Sequence, residues 1–131
     1  MLLVRHFYVS EIAPGVTEVD VQVILGVAQM NNRRRDLTGM LAQSDGYFAQ
    51  VLEGRAEAVH ALMSRIRRDP RHLGVRTLLE EPIRHRQFAS WAMRLVRRDD
   101  MREAMRAAQV QGFADGLNAR RFMQALVDHV S

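Results

Sequence analysis

The stretch Asn31–Gly54, NNRRRDLTGMLAQSDGYFAQVLEG, reads as a helix end followed by strand, turn and strand. The strands, Leu37–Gln43 and Tyr47–Glu53, meet at Ser44–Asp45–Gly46, a hairpin signal, and Gly54 closes the second. Alternation on the second strand sets Phe48, Gln50 and Leu52 on one face and Tyr47, Ala49 and Val51 on the other. Gln50 therefore points inward beside two large apolar side chains. A buried amide left without partners costs on the order of 1–3 kcal/mol, so a backbone group or another polar group must meet it there.

Towards the N-terminus, Leu2–Ser10 is rich in β-formers and ends at the turn signal Ala13–Pro14–Gly15, which predicts a first strand carrying Tyr8. Thr17 and Asp20 are spaced as a capping box and open a helix to about Asn32, with Val19, Val23, Ile24, Val27 and Ala28 as its apolar stripe. The pair Asn31–Asn32 either caps that helix or presents amides to a heterocycle. The run Arg33–Arg35 is an exposed cluster suited to the negative end of the helix dipole.

Towards the C-terminus, Arg55–Arg68 predicts a second helix with Val59, Leu62, Met63 and Ile66 inward, stopping at Asp69 because Pro70 follows. Arg65 and Asp69 are one turn apart and suited to an ion pair. Val75–Glu80 and Phe88–Val96 predict a fourth and a fifth strand, the fifth with Trp91, Met93 and Leu95 on one face. A helix over Met101–Val110, breakers at Gly112 and Gly116, and a helix from an Asn118 cap to Val130 complete the chain. This order predicts an α+β, ferredoxin-like βαββαββ mixed sheet with two helices on one face, plus C-terminal helices. Residues 1–98 are expected to form the domain, and 99–131 a helical extension packing on the sheet or on a partner.

At 131 residues the chain is long enough to bury a real core without staples. The absence of Cys excludes disulfides, thiolate metal sites and a Cys nucleophile, and the absence of Lys excludes Schiff-base chemistry and a P-loop lysine. No apolar run reaches the roughly 20 residues of a bilayer span, and MLLVRHFYVS is broken by Arg5 and His6 before any signal-peptide pattern forms. A cytoplasmic location is expected. The net charge of +4 permits nucleic-acid binding without implying it.

Asn31–Asn32, Leu37–Thr38–Gly39, Phe48 and Gln50–Val51–Leu52–Glu53–Gly54, with Tyr8, Trp91 and Met93, resemble the motifs of the BLUF family of flavin-binding blue-light sensors. The likeness extends over nearly the first hundred residues. It implies a flavin held between the two helices, FAD being the family's usual choice and FMN or riboflavin the alternatives. By position, Tyr8 is similar to the electron and proton donor, and Gln50 to the switching amide between that hydroxyl and flavin N5 and C4=O. Asn32 resembles the residue at the pyrimidine edge, Ile24 and Ile66 the apolar walls, and Arg65 and Asp69 the contacts to the ribityl phosphate, with Asn31 and His72 nearby. Trp91 and Met93 resemble the fifth-strand pair that relays the change. Asp36 departs from the family's usual Gly, Leu37 from its Ile, and His6 from an aliphatic position.

The implied function is a photoreceptor module without catalysis, signalling by contact with a downstream protein and leaving homo-oligomerisation open. Two other classes compete. A small acyl-phosphate hydrolase of ferredoxin-like fold needs a Gly-rich phosphate loop, whereas Ser10–Gly15 holds one Gly. An RNA-binding module needs aromatics in a basic Gly-aromatic motif, which the chain lacks.

Overall fold

A computed structural model of the chain describes residues 2–128. Runs of alternating or β-branched residues form β1 (Leu3–Ile12), β2 (Thr38–Ser44), β3 (Tyr47–Arg55), β4 (His72–Ile83) and β5 (Arg94–Arg97). They make one sheet in the order β4-β1-β3-β2-β5, antiparallel throughout except where β5 runs parallel to β2. The fold is the expected ferredoxin-like arrangement with an added edge strand. The β2–β3 turn is Asp45–Gly46, and Gly46 supplies its positive φ of 86°.

Both faces of the sheet are apolar and both are covered, as a twisted sheet with a two-sided core requires. One face, carrying Tyr8, Leu41, Phe48 and Leu52, packs under α1 (Glu18–Arg35) and α2 (Ala56–Arg68). The other, carrying Phe7, Val9, Met40 and Val51, packs under α3 (Arg102–Gln111) and α4 (Gly116–Val127) through Met105, Phe122 and Leu126. Arginines from the strand layer cap both C-terminal helices. Arg76 donates to Gln109 O and Val110 O at 2.6 and 3.1 Å, and Arg98 donates to Ala125 O and Leu126 O at 2.7 and 2.8 Å.

Several boundaries differ from the sequence expectation. α1 opens with the Thr17–Asp20 capping box but runs through the arginines to Arg35, and its C-cap is Asp36 in the left-handed region at φ 55°. Asn31 and Asn32 are thus interior residues of the helix and not its cap. The inward face of α1 is Val21, Leu25, Ala28 and Asn32, whereas Val19, Val23 and Val27 are 73%, 54% and 52% exposed. The valine-rich helix offers two apolar stripes, and tertiary packing uses the other one. Gly54 lies within β3, which passes into α2 at Arg55 without a loop. β4 begins at His72 and outruns the expected strand at both ends, because pairing with the ten-residue β1 extends it. β5 keeps only Arg94–Arg97, and residues 88–93 are irregular. Asp115, not Asn118, caps α4, its side chain accepting from Asn118 N at 2.8 Å. The expected terminus of that helix at Val130 lies outside the described residues.

Candidate functional site

Register alone brings three side chains into line across the sheet: Tyr8 stands opposite Gln50, and Gln50 opposite Leu41. The Tyr8 hydroxyl donates to Gln50 Oε1. The Gln50 amide donates in turn to Met93 Sδ at 3.5 Å. A thioether is a weak acceptor, so the amide is held loosely on that side. Tyr8 is fully buried, and desolvation, with a smaller contribution from the Asp69 charge, holds its phenol protonated well beyond the ordinary tyrosine range.

Above this row lies a cleft between α1 and α2. Ile24, Val27, Ala28, Asn31 and Asn32 line it from α1, and Leu62, Arg65 and Ile66 from α2. Leu41 and Gln50 form its floor, and Asp69, Arg71 and His72 its far side. The eight residues Ile24, Asn31, Asn32, Gln50, Arg65, Ile66, Asp69 and His72 are thereby brought together around one space.

Asn32 donates through Nδ2 to Ala92 O at 2.6 Å, which leaves its carbonyl oxygen without a hydrogen bond among the described residues. Arg65 likewise has no ion pair among them. The expected Arg65–Asp69 pair does not form. α2 ends at Arg68, and Asp69 is extended at φ −77° and ψ 118°, so the one-turn spacing of a helix no longer applies. Asp69 instead accepts from Arg71 N at 2.9 Å and Nη2 at 2.7 Å, and the hydrogen bonds from Arg71 keep its carboxyl below the usual range. His72 bonds Ser10 Oγ through Nδ1 at 3.0 Å and lies against the rings of Phe48 and Tyr8 at 5.3 and 6.1 Å. Burial pushes its imidazole pKa down, against the pull of Asp69.

Trp91 and Met93 do not share a face. Met93 is buried with Tyr8 and Leu41, whereas Trp91 packs on the opposite core beside Phe88, with the Arg94 guanidinium 4.8 Å from its ring centre. The alternation that would have aligned them requires an extended strand, and residues 88–93 are not one. Their backbone is nevertheless well held. Gly39 N–H, Asn32 Nδ2 and Gln29 Nε2 donate to the carbonyls of Trp91, Ala92 and Met93 at 2.9, 2.6 and 3.1 Å. A Cβ on Gly39 would meet Val51 O of β3 at 1.9 Å and the Met93 methyl at 3.3 Å, so only glycine fits on β2 between its partner strand and this segment.

Sequence reasoning missed several residues. Leu62, read only as a core residue of the second helix, and Leu41 could have been placed in the cleft from periodicity and strand pairing. Arg71 and Gln29 carried no local signal, and Glu53 stood within the quoted motif without a role of its own. Glu53 is fully buried and accepts from Arg5 Nη2 at 2.8 Å, from Gln87 N at 3.0 Å and from Phe88 N at 2.9 Å. It thereby fastens the start of the segment that ends at Met93.

Two apolar walls, polar groups converging on a ring-sized space, and a cation at its rim define a receptor for a flat heterocycle with an anionic tail. The donor set fits a flavin nucleotide. The sequence matches the family described as "BLUF: Sensors of blue-light using FAD" over residues 3–94. It is 36% identical over 87 residues to photoactivated adenylate cyclase subunit beta of Euglena gracilis, covering 66% of this chain and 10% of that protein. The fold superposes on the photo-activated state of BlsA with a TM-score of 0.82 at 26% identity, covering 98% of this chain and 97% of that one. It superposes on Klebsiella pneumoniae BlrP1 with FMN and cyclic diGMP with a TM-score of 0.73 at 29% identity, covering 95% and 34%. The chain belongs to the BLUF family, whose members are flavin-binding sensors of blue light. It spans about a tenth of the length of the cyclase subunit it matches.

Proposed function

We propose that this chain senses blue light through a Tyr8–Gln50–Met93 relay at the floor of the α1–α2 cleft, and that it carries no catalytic activity of its own. The carrying observation is the unbroken sequence of contacts from the Tyr8 hydroxyl through the Gln50 amide to Met93 Sδ. When bound, the flavin supplies the blue absorption and a reversible electron acceptor at the cleft.

In this reading Tyr8 is the donor of the electron and of the hydroxyl proton. Burial keeps that proton in place in the dark. Gln50 presents its oxygen to Tyr8 and its N–H to Met93, so passage of the tyrosine electron and proton to a bound flavin would free the amide to rotate and exchange the two ends, and their return would restore the dark arrangement. Met93 senses the exchange directly, and its own carbonyl is tied to Gln29 of α1, which gives the change a path out of the core. Asn32 offers its carbonyl oxygen to the edge of the ring. Ile24 and Ile66 enclose the ring faces, with Asn31 at the rim. Arg65 faces the phosphate, while the Asp69–Arg71 pair and His72 close the tail end, an arrangement suited to FAD or FMN more than to riboflavin. Trp91, on the far side of the sheet, acts in relay to α3 and α4 and not in the switch. Residues 1–98 are the sensing domain and 99–131 the extension through which a downstream protein is contacted, in a cytoplasmic setting.

The test is the light-minus-dark spectrum of the flavin-loaded protein. Wild type should show a small reversible red shift. Gln50→Leu and Tyr8→Phe should retain bound flavin and lose the shift. A full shift in Gln50→Leu would make that amide a core residue and remove the proposed switch.

A further inference from the structure

The helix α1 has a face that neither the sheet nor the cleft uses. Val21, Leu25, Ala28 and Asn32 face the core, and the same spacing two residues earlier places Val19, Val23, Gly26 and Met30 about 200° round the helix. Of these, Val19, Val23 and Met30 are 73%, 54% and 54% exposed, and none of the four lines the cleft. A helix apolar on opposite sides is the pattern of one buried on both.

Gly26 adds an independent observation. Glycine is the poorest helix former after proline, and a Cβ built at Gly26 meets nothing within 4 Å, so nothing in the folded monomer calls for a glycine there. A close approach from outside does. The charges of α1 indicate what approaches. Glu18, which pairs with Arg97 at 3.0 Å through one oxygen, and the capping Asp20 lie in its first turn, and Arg33 and Arg34 in its last, with no ion pair to either of these two arginines among the described residues. Such a helix is complementary to itself when reversed.

We propose that α1 forms the interface of an antiparallel homodimer, its outer face packed on the same face of a second copy across a dyad between Gly26 and Val27. Reversal about that point sets Val23 against Met30 of the second copy, Gly26 against its Val27, and Glu18 and Asp20 near its Arg33 and Arg34. Each contact occurs twice, as an isologous interface requires. The opposed helix dipoles favour the same orientation. The cleft remains open on another side of α1, so the interface is compatible with the sensing function and does not depend on it.

The chain has no Cys, which makes single-cysteine cross-linking a clean probe of both the contact and its direction. In the antiparallel dimer the two copies of position 26 lie about 1.5 Å apart along the helix axis, and the two copies of position 19 about 22 Å apart. A disulfide needs Cα atoms within about 7 Å. Under mild oxidation Gly26→Cys should therefore yield a covalent dimer and Val19→Cys should not. Sedimentation equilibrium should show a concentration-dependent dimer for wild type, and Val23→Glu should raise its dissociation constant at least a hundredfold with the circular dichroism unchanged. A wild type that stays monomeric at millimolar concentration, which would leave the face to an unrelated partner, overturns the proposal. So does a dimer that survives Val23→Glu, or one that cross-links through position 19 and not 26.

Discussion

At Asp36 the backbone takes φ 55° and ψ 42°, the only positive φ outside glycine among the described residues. The position ends α1, and its N–H returns to Asn32 O, so the left-handed turn cannot be relaxed without losing the helix terminus. The Asp36 side chain is 80% exposed and its pair with Arg86 at 3.2 Å is a surface pair of small value. Backbone strain should therefore decide the effect of substitution. Asp36→Ala is expected to cost roughly 1 kcal/mol and Asp36→Gly close to nothing, measured by chemical denaturation. Equal losses in both would show that the ion pair to Arg86 matters more than the turn. His72 sets a second expectation. Folding holds its imidazole neutral where the unfolded chain takes up a proton below its ordinary 6.5, so the unfolded state binds more protons in acid. Stability should fall as pH drops from 6.5 towards the lowered folded value. His6, whose pKa burial also lowers, adds to the same slope. His72→Asn, which can still bond Ser10, should flatten the slope of melting temperature against pH, and an unchanged slope would assign it to other groups.

Among the elements, the segment between β4 and β5 differs most from a regular strand and matters most to the switch. Its irregular residues 88–93 are held at one end by Glu53 and at the other by Gly39, Asn32 and Gln29. Glu53 uses both carboxylate oxygens, one on Phe88 N–H and the other on Gln87 N–H and Arg5. Glu53→Gln keeps the shape but turns one acceptor into a donor facing N–H groups, and among the described residues it leaves Arg5 with Glu81 at 3.3 Å as its one ion pair. The expected loss is about 3 kcal/mol, as for a broken buried pair. Amide exchange at Gln87 and Phe88 should quicken well beyond that global effect. Native protection at both amides would show that Arg86, which bonds Thr38 and Glu53 O at 3.0 and 3.3 Å, is the principal fastening.

For the molecule as a whole, α3 and α4 act as the second half of its core. Phe7, Met40 and Val51 are fully buried beneath them, and Phe122 meets Phe7 at 5.8 Å between ring centres. Each such side chain returned to water costs roughly 1.5–3 kcal/mol, against a total stability of about 5–15 kcal/mol for a domain. A chain ending at residue 98 should therefore be insoluble or lack a cooperative thermal transition. A soluble 1–98 fragment that melts cooperatively would make the extension an independent appendage.

What sequence determined on its own was local and periodic. The Thr17–Asp20 box, the Asp45–Gly46 hairpin and the inward face of β3 depend on neighbours a few residues away, and alternation was enough to put Gln50 beside Phe48 and Leu52. Tertiary structure decided whatever had two local solutions or none. α1 carries two apolar stripes, and only the sheet beneath it selected Val21 and Leu25 over Val19 and Val23. Asp69 had Arg65 one turn away and took Arg71, because the helix stopped short of it. Trp91 and Met93 were separated by a segment whose shape is set by Glu53 and Asn32, 35 and 60 residues distant from their partners in sequence. Periodicity reports which side a residue prefers within one element, whereas a choice between equal preferences is made by contacts that exist only once the sheet has formed.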